Sequence, residues 1–283
     1  MILLKRNETD AHTSLNMGYV EEKGGVRKVR GFKDLAKLSV FSVADVGALT
    51  ENVHTARSML ARLMDKGYVR KIRNNMYSAV NPSTDSVVAS KYQIACAIND
   101  SAYLTHHTAF EFYGLANQVY YEVYVASEPR FKDFDFEGIT YRRVAPRINL
   151  GVVEARTTQG VRVTDLERTV IDSIKDFEKI GGFEELMNCL SLVHYLDEVK
   201  LKTYLDAYRV QALYQRAGYL LDYFREEMQL SQEFIEYCKS QVGKGTAYLL
   251  EEAKHRGVYV REWGLVVPEG LFKSDEHPGD QFS

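Results

Sequence analysis

Residues 31–81 read GFKDLAKLSVFSVADVGALTENVHTARSMLARLMDKGYVRKIRNNMYSAVN. Apolar residues recur at helical spacing three times along this stretch. Phe32, Leu35 and Leu38 mark a first helix. Val43, Val46 and Leu49 mark a second, begun after Ser42, a residue type that caps helix N-termini. The third runs from about Asn52 to Lys66 with Ala56, Leu60 and Leu63 on its inward face, and stops at Gly67 as a helix with a glycine just past its end would. Two short strands follow, Tyr68–Ile72 and Met76-Tyr77, joined at Arg73-Asn74-Asn75. Asn74 and Asn75 tolerate the positive φ of a tight turn. Helix, helix, turn, helix and two-stranded ribbon is the order of a winged helix-turn-helix.

At about 100° per residue, the outward face of the third helix carries His54, Ser58, Ala61 and Arg62, flanked by Thr55 and Arg57. A helix laid in the DNA major groove presents mainly its N-terminal half to base edges. Arg57 or Arg62 could make the bidentate contact to guanine, and Thr55 and Ser58 could reach phosphate or base. Arg70, Lys71 and Arg73 on the ribbon, with Asn74 and Asn75 at its tip, are placed for phosphates or the minor groove, and Lys28, Arg30 and Lys33 for the backbone. The competing reading of the same face is a solvated helix on a protein-binding domain.

Charge is distributed to match. The 283-residue chain has a formal net charge of −3, yet residues 23–78 hold 12 Lys+Arg against 4 Asp+Glu, a net of +8. Residues 1–22 carry −2 and residues 79–283 carry −9. A basic segment beside an acidic remainder suggests a nucleic-acid module joined to something else. With 45% hydrophobic and 27% charged residues, the chain is not one that stays largely disordered. No apolar run approaches the roughly 20 residues of a membrane span, and the start MILLKRNETDAH lacks the longer apolar stretch of a signal peptide. Cys96, Cys189 and Cys238 are far apart with no CxxC pair, which argues against a zinc site or disulfide framework and fits a reducing cytoplasm.

The resulting division is a loose basic tail over 1–30, the winged helix over 31–82, closed at Asn81-Pro82, a mixed α/β domain over 83–273, and a polar, disordered tail over 274–283. The fold class expected is α+β. Within the second domain, a helix is predicted over 87–99, and Ser101 to Tyr113 reads as a short entry and then a helix ending at Gly114. Strands are predicted at Tyr120–Ala126, in a hairpin around Glu137-Gly138, and in a strand pair turning at Gln159-Gly160. Thr164 and Glu167 have capping-box spacing before Leu166, Val170, Ile171 and Ile174, so a helix begins there. The pattern is mostly helical from 183 to 256, and Val258–Val267 closes as one or two strands.

Enzyme signals are weak. There is no GxGxxG, P-loop, HExxH or GxSxG. His106-His107 are adjacent and cannot share a helix face, so they make a poor metal site; one ring is expected packed or capping and the other solvated. Asp165, Glu167 and Asp172 read as caps and dipole partners. Gly243-Lys244-Gly245-Thr246 resembles the end of a phosphate loop without its earlier glycine, and is expected to be a turn. Neither an enzymatic activity, a metal nor a cofactor is expected. Most tyrosines, such as Tyr204, Tyr208, Tyr219 and Tyr223, are spaced for packing on helix faces.

Three further segments carry a family likeness: SAYLTHHTAFEFYGL (101–115), VTDLERTVIDSI (163–174) and AGYLLDYF (217–224). Together with the winged helix, they resemble the AbiEi antitoxins of type IV toxin–antitoxin systems linked to phage defence, over about 31–270. The resemblance implies an N-terminal domain that binds inverted repeats in its own operator and represses the operon, and a C-terminal domain that supplies antitoxicity. It also implies a nucleotidyltransferase toxin as functional partner, without a stable complex. The alternatives are a winged-helix regulator whose second domain senses a small ligand, and a DNA-targeted enzyme such as a nuclease.

Overall fold

The computed structural model describes residues 20–22, 25–27, 32–50 and 52–272, and the contacts divide the chain into two units, Met1–Ala89 and Ser90–Ser283. Lys28 and Arg30 lie outside the described residues, as does the predicted tail beyond 273. Inside the stretch expected to be a loose tail, β1 (Val20–Glu22) and β2 (Gly25–Arg27) pair antiparallel.

The first unit continues with α1 (Phe32–Lys37), α2 (Val43–Thr50) and α3 (Val53–Asp65). Ser42 opens α2: its hydroxyl accepts the Asp45 N–H at 3.3 Å while the Asp45 carboxylate accepts the Ser42 N–H at 2.7 Å. Asn52 caps α3, its side-chain oxygen accepting the N–H groups of His54 and Thr55. At the other end Gly67 takes φ +73, and the Gly67 and Tyr68 N–H groups close on the carbonyls of Met64 and Leu63. The chain then returns as β3 (Val69–Arg73), β4 (Met76–Asn81) and β5 (Ser86–Val87), an antiparallel sheet in that order. Phe41, between α1 and α2, bridges to Tyr77 of β4 and ties the helices to the ribbon. Leu35, Phe41, Val46, Ala56, Leu60, Leu63 and Val69 form the core, and Met59 joins the inward face of α3, which the pattern Ala56, Leu60, Leu63 had omitted. Because β5 returns to β4, the division between units falls after Ala89, beyond the Asn81-Pro82 turn. For the same reason the helix expected over 87–99 shrinks to α4 (Lys91–Cys96), opened by a Ser90–Gln93 capping box.

The second unit is mixed α+β. Its six-stranded sheet holds β6 (Tyr103–Leu104), β7 (Glu122–Ala126), β8 (Phe134–Phe136), β9 (Ile139–Val144), β10 (Val152–Glu154) and β11 (Arg162–Thr164) in the order β10-β11-β6-β7-β9-β8. The β8–β9 hairpin turns at Glu137 and Gly138, both at positive φ, and lays β9 parallel to β7. Between β6 and β7 runs α5 (His107–Phe112). Then come α6 (Leu166–Lys175), α7 (Phe183–Ser191), α8 (Glu198–Tyr208), α9 (Gln211–Tyr223) and α10 (Gln232–Ser240), whose apolar faces share one core with Phe110 of α5. A small sheet of β12 (Ala247–Tyr248), β13 (Gly257–Val260) and β14 (Leu265–Pro268) follows, in the order β12-β14-β13. Gly218 of α9 is where this last part seats: a Cβ there would run into the Trp263 ring. No helix among the described residues is long and apolar enough to cross a membrane.

Candidate functional sites

The outward side of α3 is built by the cap and the core together. Asn52 fixes where the helix begins, and burial of Ala56, Met59, Leu60 and Leu63 fixes its rotation. His54, Thr55, Arg57, Ser58 and Arg62 are left exposed, as the sequence predicts. Two of them partly satisfy themselves on their own helix: the Ser58 hydroxyl donates to the His54 carbonyl at 3.1 Å, and Arg62 Nε to the Ser58 carbonyl at 3.4 Å. Arg57 stands apart from Arg62. It lines a groove of about 580 Å3 with Val53 and Met64 of α3, Val43 and Ala44 of α2, and Asn74 and Asn75 of the ribbon tip.

On the ribbon, Lys71, Asn74 and Asn75 are exposed and Arg70 and Arg73 half-buried. Arg70 already meets Asp85 at 3.2 Å. Asn75 sits at φ +57, and its side-chain oxygen accepts the Val43 N–H at 3.0 Å. That amide holds the ribbon tip to the first turn of α2, a role its turn chemistry did not announce. Lys33 lies on α1.

In the second unit the polar residues of VTDLERTVIDSI turn inward. Asp165, not Thr164, caps α6 by accepting the Arg168 N–H at 2.9 Å, because Thr164 is still the last residue of β11 and its hydroxyl pairs with Thr169. The sequence-predicted capping box therefore does not form; the cap moves by one residue to Asp165 and has no reciprocal partner at Arg168. Glu167 reaches across to α8 instead, accepting the Asp197 N–H at 3.0 Å and meeting Lys200 at 3.1 Å.

Arg168 is 1% exposed. Its Nε donates to Asp172 at 2.7 Å, and Nη1 donates to the carbonyls of Ile148 and Leu150 at 3.2 and 2.5 Å. Burial opposes the guanidinium charge, but Asp172 outweighs it and holds the pKa above its ordinary value. Asp172 also accepts from the Tyr208 hydroxyl and from Thr105 Oγ1 at 3.3 Å. Tyr204 donates to Asp165 at 2.6 Å. Tyr204, buried, and Tyr208, half-buried, thus serve as hydrogen-bond donors, not only as packing, and the signal was present in the sequence. They stand four apart, one helical turn, opposite Asp165 and Asp172, two turns apart on α6.

Both histidines of the 101–115 segment are buried, so the expectation of one solvated ring fails. His106 is 3% exposed and holds φ +53, with Nδ1 3.0 Å from the Thr105 hydroxyl and Nε2 3.8 Å from Asp176. His107 is 1% exposed, packed edge-on against Tyr120. Burial, aided by Lys91, lowers its pKa to about 4 although Glu185 lies 3.6 Å away, so the ring is neutral at pH 7. The two rings face different partners, and among the described residues no three His, Cys, Asp or Glu side chains gather as metal ligands do. Cys96, Cys189 and Cys238 are buried free thiols, and burial raises the Cys238 pKa to about 12.

Residues 101–223 match the family model described as the AbiEi antitoxin C-terminal domain. The match spans the two histidines, the Arg168–Asp172 cluster and α9. The crystal structure of the RV2827C protein from Mycobacterium tuberculosis aligns with a TM-score of 0.60 at 15% identity, covering 84% of this chain and 90% of that one, a likeness of fold alone. No curated protein sequence matches the chain.

Proposed function

We propose, from the match of residues 101–223 to the AbiEi antitoxin C-terminal domain model, that the chain is the antitoxin and autorepressor of a type IV toxin–antitoxin operon, acting in the cytoplasm. The antitoxin role rests on the family match. The repressor role is supported by the first unit, whose order of three helices, a bridging residue and an antiparallel ribbon suits a winged helix-turn-helix.

In this reading α3 enters the major groove. Arg62 and Ser58 meet base edges and Arg57 works from the flank beside the ribbon, while Lys71 and Arg70 contact phosphates. Arg70 exchanges its Asp85 partner for a phosphate on binding. Neutralisation of a nucleotidyltransferase toxin falls to the second unit, which acts without enzymatic chemistry and without a stable toxin complex.

The test has two arms. Full-length protein should retard a DNA fragment carrying the inverted repeats of its own promoter, and Arg57→Ala/Arg62→Ala should abolish that shift while leaving the circular dichroism spectrum unchanged. Co-expression with the neighbouring toxin gene should restore growth with wild type and with the double variant alike. Unchanged DNA affinity in the variant would remove α3 as the reading helix. Failure of both proteins to restore growth would remove the antitoxin role.

A further inference from the structure

A cleft of about 590 Å3 opens in the second unit, within the range of small-molecule sites. Its walls come from the end of α6, the first turns of α9 and the chain around β12. Three cations line it, and two are already matched. Lys175 lies 2.9 Å from Asp176, and Lys254 lies 2.5 Å from Glu251.

Arg216 is different. Its Nε donates to the Tyr248 carbonyl at 2.9 Å, and among the described residues its guanidinium has no carboxylate within ion-pair reach. Burial lowers its pKa, with only the more distant charge of Asp176 to counter it. A half-buried guanidinium with its outer nitrogens unmatched calls for an anion.

The neutral donors nearby agree. α9 starts at Val210 without a side-chain cap and with no acidic residue in its first turn, and its residues Gln211 and Ala212 line the cleft. The segment Gly243-Lys244-Gly245-Thr246, whose sequence resembles the end of a phosphate loop, brings Gly245 and Thr246 to the same wall. A Cβ at Gly243 would stand 2.9 Å from the Gln211 amide, so the glycine lets this segment close on α9.

We propose that this cleft binds a nucleoside monophosphate or a phosphate ester of similar size. Its phosphate is anchored by Arg216 and the Thr246 hydroxyl, and its ring lies against Tyr248 or Phe177. Glu178 and Glu251 on the rim disfavour a triphosphate, and the apolar walls add nothing for inorganic phosphate alone. The inference rests on the second unit by itself and not on DNA binding by the first.

Isothermal titration of the full chain with AMP, GMP, CMP and UMP tests it, with ATP and inorganic phosphate as comparators. At least one monophosphate should saturate with a Kd below about 1 mM. Arg216→Gln should weaken it at least about tenfold, the loss expected of a charge-assisted contact. Glu251→Gln should leave it equal or tighter. Should Arg216→Gln fail to fold, Thr246→Val takes its place, with a loss of about threefold or more expected for one neutral hydrogen bond. No saturation by any monophosphate, equal binding of inorganic phosphate, or affinity unchanged in a folded Arg216→Gln protein would each overturn the assignment.

Discussion

Replacing Arg168 by Met isolates what the buried cluster contributes. Methionine keeps much of the aliphatic volume but removes every donor. Asp172 then loses its 2.7 Å partner while staying 4% exposed, with only Tyr208 and Thr105 left, and the carbonyls of Ile148 and Leu150 lose theirs. Breaking a buried pair from one side costs about 3–5 kcal/mol, chiefly because the remaining charge is stranded. For a unit of this size that is a fall in Tm of roughly 6–20 °C. Urea unfolding followed by circular dichroism at pH 7, with calorimetry beside it, gives the number. The double variant Arg168→Met/Asp172→Leu removes the stranded charge and should recover at least about 2 kcal/mol of the summed single losses. A single-variant loss under about 1 kcal/mol, or losses that simply add, would refute the view that Arg168 and Asp172 act as one buried ion pair.

Four other outcomes follow from particular contacts. Asn52→Ala should cost about 1 kcal/mol in chemical unfolding, since it strips the cap from α3. Gly218→Ala should cost about 1–3 kcal/mol by forcing the Trp263 ring aside, seen as a shift in tryptophan fluorescence and a lower Tm. His107 titrates near 4 in the folded chain against 6.5 as a free side chain, so the unfolded state binds the extra proton as pH falls between those values. Stability is full above pH 6.5 and declines towards pH 4 by about 3 kcal/mol, a slope that urea melts of His107→Gln should lack. If the first unit binds operator DNA, Lys71→Ala should lower the slope of log affinity against log salt by about 1 in shift titrations, without changing which sequence is preferred.

Local chemistry was legible in the sequence; long-range partnership was not. Glu137-Gly138 announced its hairpin and Gly67 the end of α3, because those signals act within a few residues. The parallel pairing of β7 with β9 and of β6 with β11 depends on strands far apart in the chain, which no local pattern encodes. The burial of Arg168 had no local signal, since burying a guanidinium requires Asp172 and two carbonyls from the β9–β10 connection to converge on it. The face of α3 was read correctly apart from Met59, a flexible side chain that fills space at the edge of the apolar stripe. What periodicity could not supply was the second duty of Asn75, whose hydrogen bond to Val43 spans 32 residues.

The recognisable family segment is not the same thing as a piece that can stand by itself. Residue 223 ends the match at the last turn of α9, yet Gln215 on that helix donates to the carbonyls of Gly245 and Gly264, and Gly218 is vacant of a side chain so that Trp263 can lie there. Excising 101–223 would strip those partners away and leave a long helix with a ring-shaped hollow facing water. The family likeness is carried by one span of chain and its foldability by a longer one, so a shortened version of this chain should keep its C-terminal sheet through at least Pro268.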